Sequence, residues 1–167
     1  MPKVGTYLLL MHLDREAEIT VGRLGTFGFA AGYYCYVGSA TGPGGIPARV
    51  GRHLRGAKRP HWHVDYLLCE ASVMEIWAIR SIDRLEYIWA QALLSLPYVT
   101  VPVRGFGSSD CSCQAHLFRF PAFPSLRAFS RALQIRGSAA SPQALRPTST
   151  PSSPRTGLRP GEPQDGR

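Results

Sequence analysis

The chain has 167 residues and a formal net charge of +8 at pH 7, which leaves room for one ordinary domain and a short appendage. No stretch is apolar over the length of a membrane span, so we expect a soluble protein that attracts anionic partners. Its four cysteines, Cys35, Cys69, Cys111 and Cys113, are too few and too scattered for a disulfide scaffold. They favour a reducing cytoplasm.

Three strands are predicted in the first forty or so residues. The run VGTYLLLMHL at residues 4–13 is the first, and the acidic residues after it replace the small-residue cleavage site of a signal peptide. Residues 19–21 are expected to pair back onto this strand, and a glycine-spaced loop follows. The run YYCYVG is the third strand, and its alternation places Tyr34 and Tyr36 on one face.

A basic helix is predicted next. Pro47 suits a first helical turn, and Arg49 and His53 lie four residues apart, so they share one face. The segment from residue 49 to residue 59 contains no acid, and its cations besides His53 are Arg49, Arg52, Arg55, Lys58 and Arg59. Such a local positive field suits phosphate groups, although an ordinary solvated basic face has the same composition.

The second half predicts two more strands, HWHVDYLLCEA at residues 61–71 and VMEIWAIR at residues 73–80. A helix, DRLEYIWAQALL, is expected to begin at a cap on Ser81 or Asp83 and to end before Pro97.

A glycine-rich loop then leads to the last predicted strand, HLFRF, and to a helix beginning near Pro124 or Ser125. Strands and helices mixed without regular alternation predict an α+β fold with a small, mainly antiparallel β-sheet flanked by helices. The folded domain is placed at residues 1–136. Residues 137–167 are mostly Pro, Ser, Gly, Thr and Arg, and we expect a disordered tail there.

Several short motifs, in chain order, resemble those of the GIY-YIG nuclease superfamily. GTY at residues 5–7 and YVG at residues 36–38 match its two tripeptides, which lie on adjacent strands in that superfamily. Arg49 and His53 match the R-x-x-x-H helix that follows, and Glu86 stands where a later helix carries a glutamate. Each tripeptide alone would carry little information, so the resemblance rests on their order.

The chain departs from that pattern in three ways. Thr6 stands where isoleucine is usual, and its side chain is expected to point into packing. Residues 12–31 insert an extra hairpin between the two tripeptides. The asparagine often found late in the superfamily has no clear counterpart.

The second half is similar to one branch of the superfamily, through HWHVDYL at residues 61–67 and GSSDCSC at residues 107–113, followed by HLF. Members of that branch occur beside or fused to base-excision repair glycosylases. The resemblance therefore implies a DNA repair setting and a functional link to such a glycosylase.

The resemblance implies an endonuclease that hydrolyses DNA with Mg²⁺ or Mn²⁺. Either Tyr7 or Tyr36 would deprotonate and orient the water, with its pKa depressed by nearby cations. Arg49 would clamp the phosphate and His53 would relay a proton or donate a second hydrogen bond. Glu86 would hold the Mg²⁺, which completes its shell with water and phosphate oxygens.

A second metal site is a further hypothesis. His61, His63 and Asp65 would share one face of the predicted strand, opposite a loop that carries Cys111, Cys113 and His116. Such a set of soft and borderline ligands could hold Zn²⁺. The alternative is that His61 and His63 bond the Asp110 carboxylate or contact DNA phosphates.

The remaining predicted DNA contacts are Arg52, Arg55, Lys58, Arg59 and an aromatic side chain. Phe106, between two glycines, is the better candidate for stacking on a base, and Trp62 is expected in the core. Two functions compete with the endonuclease: a catalytically inactive nucleic-acid-binding module that uses the same basic cleft, and a zinc-dependent hydrolase centred on His61, His63 and Cys113.

Overall fold

The computed structural model describes residues 3–56, 59–109, 111–139 and 141–147, and within them the chain forms an α+β fold, as predicted. The strands are β1 Gly5–Leu13, β2 Ala17–Val21, β3 Gly25–Phe29, β4 Gly32–Ala40, β5 Ser72–Arg80, β6 Leu117–Phe120 and β7 Gln143–Leu145. The helices are α1 Gly45–Leu54, α2 His63–Leu68, α3 Glu86–Leu94 and α4 Leu126–Ile135. None of the helices in the described ranges is long and apolar enough to cross a membrane.

The main sheet has five strands in the order β6-β4-β1-β5-β7, and every neighbouring pair is antiparallel. β1 lies at its centre, which explains the continuous apolar run of this strand, since both of its faces are covered. In its register with β4, Tyr7 lies opposite Gly38 and Leu9 lies opposite Tyr36. The two motif tripeptides are therefore on adjacent strands.

Each face of the sheet has its own core. Tyr7, Tyr36 and Leu9 belong to the first cluster, which packs against Val50 of α1 and Val64 of α2. The second cluster holds the residues of opposite parity on β1 and β4 together with the buried side chains of α3 and α4: Leu8, Leu10, Cys35, Val37, Trp89, Leu93 and Phe129. Burying a side chain such as Leu or Phe contributes about 1.5–3 kcal/mol. The sheet thus separates α1 and α2 from α3 and α4.

The extra hairpin is formed by β2 and β3, which pair with each other in a separate two-stranded sheet. The prediction that residues 19–21 pair with β1 is wrong, because the segment taken for a glycine-spaced loop is itself the partner strand. The hydroxyls of Thr20 and Thr26 are 2.8 Å apart across the hairpin. Ile19, Val21 and Phe29 turn inward to the first cluster, so the hairpin covers part of that core.

Residues 63–68 form α2, where a strand was predicted. The Asp65 carboxylate explains the difference, because its Oδ2 accepts hydrogen bonds from the backbone N–H groups of His61 and Trp62, at 2.8 and 2.9 Å. A side chain that satisfies free N–H groups at a helix start favours the helix over an extended chain. His61, His63 and Asp65 therefore do not share a strand face.

α3 begins at Glu86 without a side-chain cap, so the predicted caps at Ser81 and Asp83 are wrong. The Ser81 hydroxyl instead accepts from the Asp83 N–H in the preceding turn. The start of α3 is held by Thr6, whose buried hydroxyl accepts from the Leu85 N–H at 3.3 Å.

The predicted start of α4 is confirmed. Ser125 is its N-cap and accepts a hydrogen bond from the N–H of Ala128 at 3.2 Å.

The segment after residue 136 is partly ordered, which differs from the predicted boundary. Gln143–Leu145 forms β7 and pairs with Ile76, Trp77 and Ala78 of β5. Backbone hydrogen bonds to a sheet edge need no apolar side chains, so composition does not predict them. The prediction for residues 148–167 lies outside the described residues.

Candidate active site

The two tripeptides pack into each other. Tyr7 of β1 lies across Gly38 of β4, and a Cβ added at Gly38 would overlap the Cζ and hydroxyl oxygen of the Tyr7 ring. Gly5 is constrained in the same way, because a Cβ there would overlap the carbonyl oxygen of Ile79. The spacing of glycine and tyrosine thus lets a full phenol lie flat on the neighbouring strand.

A Gly38→Ala substitution is expected to lower the free energy of unfolding by about 1–3 kcal/mol, since the Tyr7 ring must shift to admit a methyl group. Gly28→Ala is the matched control, because Gly28 is an exposed strand glycine with no atom near the added Cβ. Urea unfolding of both variants checks this. Equal midpoints for the two would show that the ring has room to move.

Tyr7 is hydrogen-bonded to His53. Its hydroxyl oxygen is 2.7 Å from His53 Nε2, and both side chains are buried. α1 brings the imidazole over the first core cluster, while Arg49, one turn earlier, places its guanidinium beside the same hydroxyl. The predicted R-x-x-x-H pair therefore meets the first-strand tyrosine.

Behind His53 lies Asp65, which was predicted beside the second metal site and not among the catalytic residues. Its Oδ1 is 3.5 Å from His53 Nδ1 and its Oδ2 is 3.8 Å from an Arg52 nitrogen, and the carboxylate is fully buried. A carboxylate beside Nδ1 favours the tautomer with its proton on that nitrogen and leaves Nε2 free to accept from Tyr7. We refer to these three residues as the Tyr7–His53–Asp65 chain.

Tyr36 completes the aromatic part of the site. It sits diagonally from Tyr7 on the same face of the sheet, and its ring centre is 6.2 Å from that of His53 in an edge arrangement. Gly107 has a φ of +71°, and a Cβ there would lie 2.9 Å from the Tyr36 ring. The glycine-rich loop thus closes over this tyrosine.

Both phenols are harder to ionise than the sequence predicted. Burial raises the pKa of Tyr7 well above its ordinary value, and burial raises the pKa of Tyr36 to about 12. Arg49 lowers both pKa values, but less than burial raises them. The predicted depression by cations is therefore wrong, because the hydroxyls are removed from water. At neutral pH both side chains keep their protons.

Trp62 supports the two arginines of α1. The guanidinium carbons of Arg49 and Arg52 lie 4.3 and 4.8 Å from the centre of its ring, and the indole is half-buried. Such cation–π contacts orient a guanidinium without neutralising it. Trp62 packs at the edge of the core, as predicted, and also positions Arg49.

Glu86 is the first residue of α3, and its side chain is 14 % exposed, with Arg84 Nε at 3.9 Å. α3 packs on the opposite face of the sheet from the phenols. The Glu86 carboxylate is nevertheless near enough to raise the pKa of Tyr36, in addition to the larger effect of burial. It also opposes the burial that lowers the pKa of His116. Glu86 therefore lies within electrostatic range of Tyr36 and His116.

The other predicted nucleic-acid contacts differ in their exposure to solvent. Arg55, Arg59 and His61 are exposed, and the Arg52 side chain is 34 % exposed, so they can reach a ligand. Lys58 lies outside the described residues.

Phe106 is fully buried against Tyr36 and Phe29, so its predicted stacking on a base is wrong. Its flanking glycines permit the turn that carries it inward.

His63 is half-buried, and its Nδ1 accepts a hydrogen bond from the N–H of Gly107 at 2.9 Å. The group that can hold a metal in the described part of the chain consists of Cys111, Cys113 and His116, without His61 or His63. His61 and His63 therefore do not join the other three members of the predicted zinc set. The alternative hydrolase centred on His61, His63 and Cys113 lacks the same two histidines. Asp110 lies outside the described residues.

A cavity of about 620 Å³ lies on another side of α1, between this helix and the β5–β7 edge. Ile46, Val50 and Leu54 line it, and none of the predicted catalytic residues does. The cluster around Tyr7 is thus the better candidate site, because titratable groups converge there.

The comparisons with known proteins give one family. No curated protein and no solved structure matches the chain. The family model described as "Domain of unknown function DUF123" matches residues 6–137, which run from the second residue of β1 to just past the end of α4 and include Tyr7, Arg49, His53, Asp65 and Glu86. The chain belongs to the DUF123 family.

Proposed function

We propose that this protein is a divalent-metal-dependent endonuclease of the GIY-YIG type, which hydrolyses DNA phosphodiester bonds in repair or processing. The observation that carries the proposal is the hydrogen bond between Tyr7 and His53 with the Arg49 guanidinium beside it. A buried phenol, an imidazole and a guanidinium at one point supply a proton path and a phosphate ligand. The order of the motifs in the sequence adds to this support.

In the proposed mechanism the proton of the attacking water passes along the Tyr7–His53–Asp65 chain. The water gives its proton to the Tyr7 oxygen while the Tyr7 proton moves to His53 Nε2, 2.7 Å away. Asp65 stabilises the resulting imidazolium through Nδ1. Because the two transfers are coupled, Tyr7 never stands as a free phenolate, which its raised pKa would make costly.

Arg49 is the proposed phosphate ligand. A guanidinium presents two parallel N–H donors to two phosphate oxygens and stabilises the charge that develops in the transition state. The Trp62 ring, 4.3 Å from the guanidinium carbon, limits the orientations of this side chain. The same ring holds Arg52, which stands next to the Asp65 carboxylate.

Glu86 is the proposed Mg²⁺ ligand. Mg²⁺ in phosphoryl-transfer sites is bound through one or two carboxylates, with water and phosphate completing its shell, and the single, partly buried carboxylate at the start of α3 fits that donor set. When bound, the ion supplies positive charge to the phosphate and to the leaving oxygen. Thr6 positions Glu86, because its hydroxyl holds the preceding backbone N–H.

A catalytically inactive nucleic-acid-binding module is the second candidate, and the burial of the phenols favours it. Tyr7 has no exposed surface and Tyr36 has 7 %, so hydrolysis requires water to reach a buried hydroxyl. A binding module needs only the exposed cations. It would show salt-dependent affinity, because each phosphate contact releases counterions, and no turnover.

The Glu86→Gln variant tests the proposed activity against this alternative. With Mg²⁺ or Mn²⁺ and duplex, branched, abasic and single-stranded DNA, we expect the wild type to cleave at least one substrate and the variant to cleave it about 10²–10³-fold more slowly. DNA affinity, measured by fluorescence anisotropy, should change little.

Glu70→Gln is the matched control, since Glu70 is an exposed glutamate just after α2, and it should cleave like the wild type. A wild type that binds these DNAs and cleaves none of them would leave the binding module as the function.

A further inference from the structure

The loop between α3 and β6 carries three side chains that no step of the proposed mechanism uses. The sulfur atoms of Cys111 and Cys113 and a ring nitrogen of His116 all lie within 4.8 Å of one another. Cys113 and His116 are buried, and Cys111 is half-buried. Two thiols and an imidazole at this spacing form a ligand set for a borderline or soft metal ion.

His116 supplies an independent sign of a missing ligand. His116 is only 7 % exposed, yet in the described ranges its Nε2 has no hydrogen-bond partner. Buried polar side-chain atoms of this kind nearly always have one. Trp77 Nε1 is also buried without a hydrogen-bond partner, but Trp77 lies in the second apolar cluster and is not part of a metal-ligating group in the described ranges.

The sulfur atoms of Cys111 and Cys113 are joined as a disulfide in the structure. This bond accounts for the two cysteines but leaves His116 Nε2 without a partner, whereas one metal ion would engage all three side chains. The backbone N–H of Cys113 also donates to Cys111 Sγ at 3.3 Å, a contact that stabilises a thiolate as well.

The backbone around the three residues is already fixed. The N–H of His116 donates to the carbonyl of Phe106 at 2.8 Å, and the N–H of Gly105 donates to the carbonyl of Gln114, also at 2.8 Å. The N–H of Cys111 donates to the carbonyl of Ser108. Such a loop presents its ligands with little reorganisation, so the metal affinity does not have to offset the ordering of a flexible segment.

We propose that Cys111 and Cys113, in their reduced form, bind one Zn²⁺ ion together with Nε2 of His116. Two thiolates and a neutral imidazole cancel the charge of the ion, which suits a largely buried site. A water or a further side chain takes the fourth position. The ion fastens the loop that closes over Tyr36 to the start of β6, and it is separate from the Mg²⁺ proposed at Glu86.

Metal analysis of untagged protein, purified with a reductant and dialysed against limiting Zn²⁺, tests this proposal. We expect about one zinc ion per chain, and replacement by Co²⁺ should give the near-ultraviolet charge-transfer band of a thiolate-bound cobalt ion. Cys113→Ser and His116→Ala should each weaken Zn²⁺ binding at least about tenfold.

Cys69→Ser and His61→Ala are the controls, because Cys69 is an exposed free cysteine and His61 is an exposed histidine, and both should bind zinc like the wild type. Glu86→Gln should also keep its zinc, so failure of the nuclease proposal and failure of this one are distinguishable. Thiol titration of the wild type keeps the test independent of variant folding. Two results would overturn the proposal. One is a protein that shows four reactive thiols after denaturation, and is therefore fully reduced, but had bound no zinc. The other is a Cys111–Cys113 disulfide that survives the reductant.

Discussion

A Tyr7→Phe variant should keep its fold and lose DNA cleavage by about 10²–10⁴-fold, the range that general acid–base catalysis supplies. The phenylalanine ring fills the same space over Gly38, so the packing of the two central strands is unchanged. What is removed is the oxygen 2.7 Å from His53 Nε2, and with it the path between the attacking water and the imidazole. The single-turnover cleavage rate on a DNA that the wild type cuts is the measurement.

Tyr34→Phe is the matched control for this experiment. Tyr34 is a fully buried tyrosine on the same face of the sheet, and its hydroxyl donates to the carbonyl of Ala30. Losing that hydrogen bond should lower the free energy of unfolding by about 1 kcal/mol and leave cleavage unchanged. A Tyr7→Phe enzyme as active as Tyr34→Phe would mean that the water is activated elsewhere, and the proton path proposed above would be wrong.

Replacing Asp65 should damage both stability and cleavage. Asp65→Ala removes a buried carboxylate that pairs with His53 and accepts from the N–H groups of His61 and Trp62. The loss is expected to lower the free energy of unfolding by about 3–5 kcal/mol, because the two backbone N–H groups and His53 Nδ1 each lose the nearby buried acceptor, at roughly 1–3 kcal/mol for each donor. Urea unfolding at neutral pH measures it.

Asp65→Asn separates the two roles of this side chain. Its amide oxygen can still accept from the two backbone N–H groups, but the neutral group no longer stabilises an imidazolium at His53. We therefore expect a modest loss of stability and a fall in the cleavage rate of about 10²-fold or more. Asp83→Asn, at an exposed turn, is the control. Full activity in Asp65→Asn would show that the carboxylate only caps α2.

Strands and helices with a strong periodic pattern could be predicted from the sequence. β1, β4, β5, α3 and α4 all lie close to their predicted positions, because a long apolar run or a clear alternation marks each of them.

α2 was missed because its deciding interaction is one carboxylate turning back onto two N–H groups. β3 was missed because its glycines mark a loop in isolation and become a strand only beside β2. Pairing partners are a property of the folded chain and not of a local stretch.

At the site, the resemblance of the ordered motifs predicted that Tyr7, Arg49 and His53 would meet, and they do. It did not predict Asp65 as the partner of His53, since a wrong strand assignment pointed this residue elsewhere. The available signal was an aspartate three residues after the N-cap residue Trp62, a position from which a carboxylate can reach back to the N-cap backbone N–H.

The direction of the phenol pKa shifts was also missed, and so was the burial of Phe106. Both depend on solvent exposure, which a linear sequence reports poorly.

The interlock of Tyr7 with Gly38 has a consequence for how such sequences are classified. Because the glycine makes room for the ring, neither the glycine nor the aromatic ring can be replaced alone without a collision or a gap, whatever chemistry the domain performs. A related domain with a different activity would therefore still need the same pair of residues in its core. The tripeptides diagnose an architecture and not a reaction, and the proposed hydrolysis has to be tested on the Tyr7 hydroxyl and the Glu86 carboxylate, which the packing of the strands does not require.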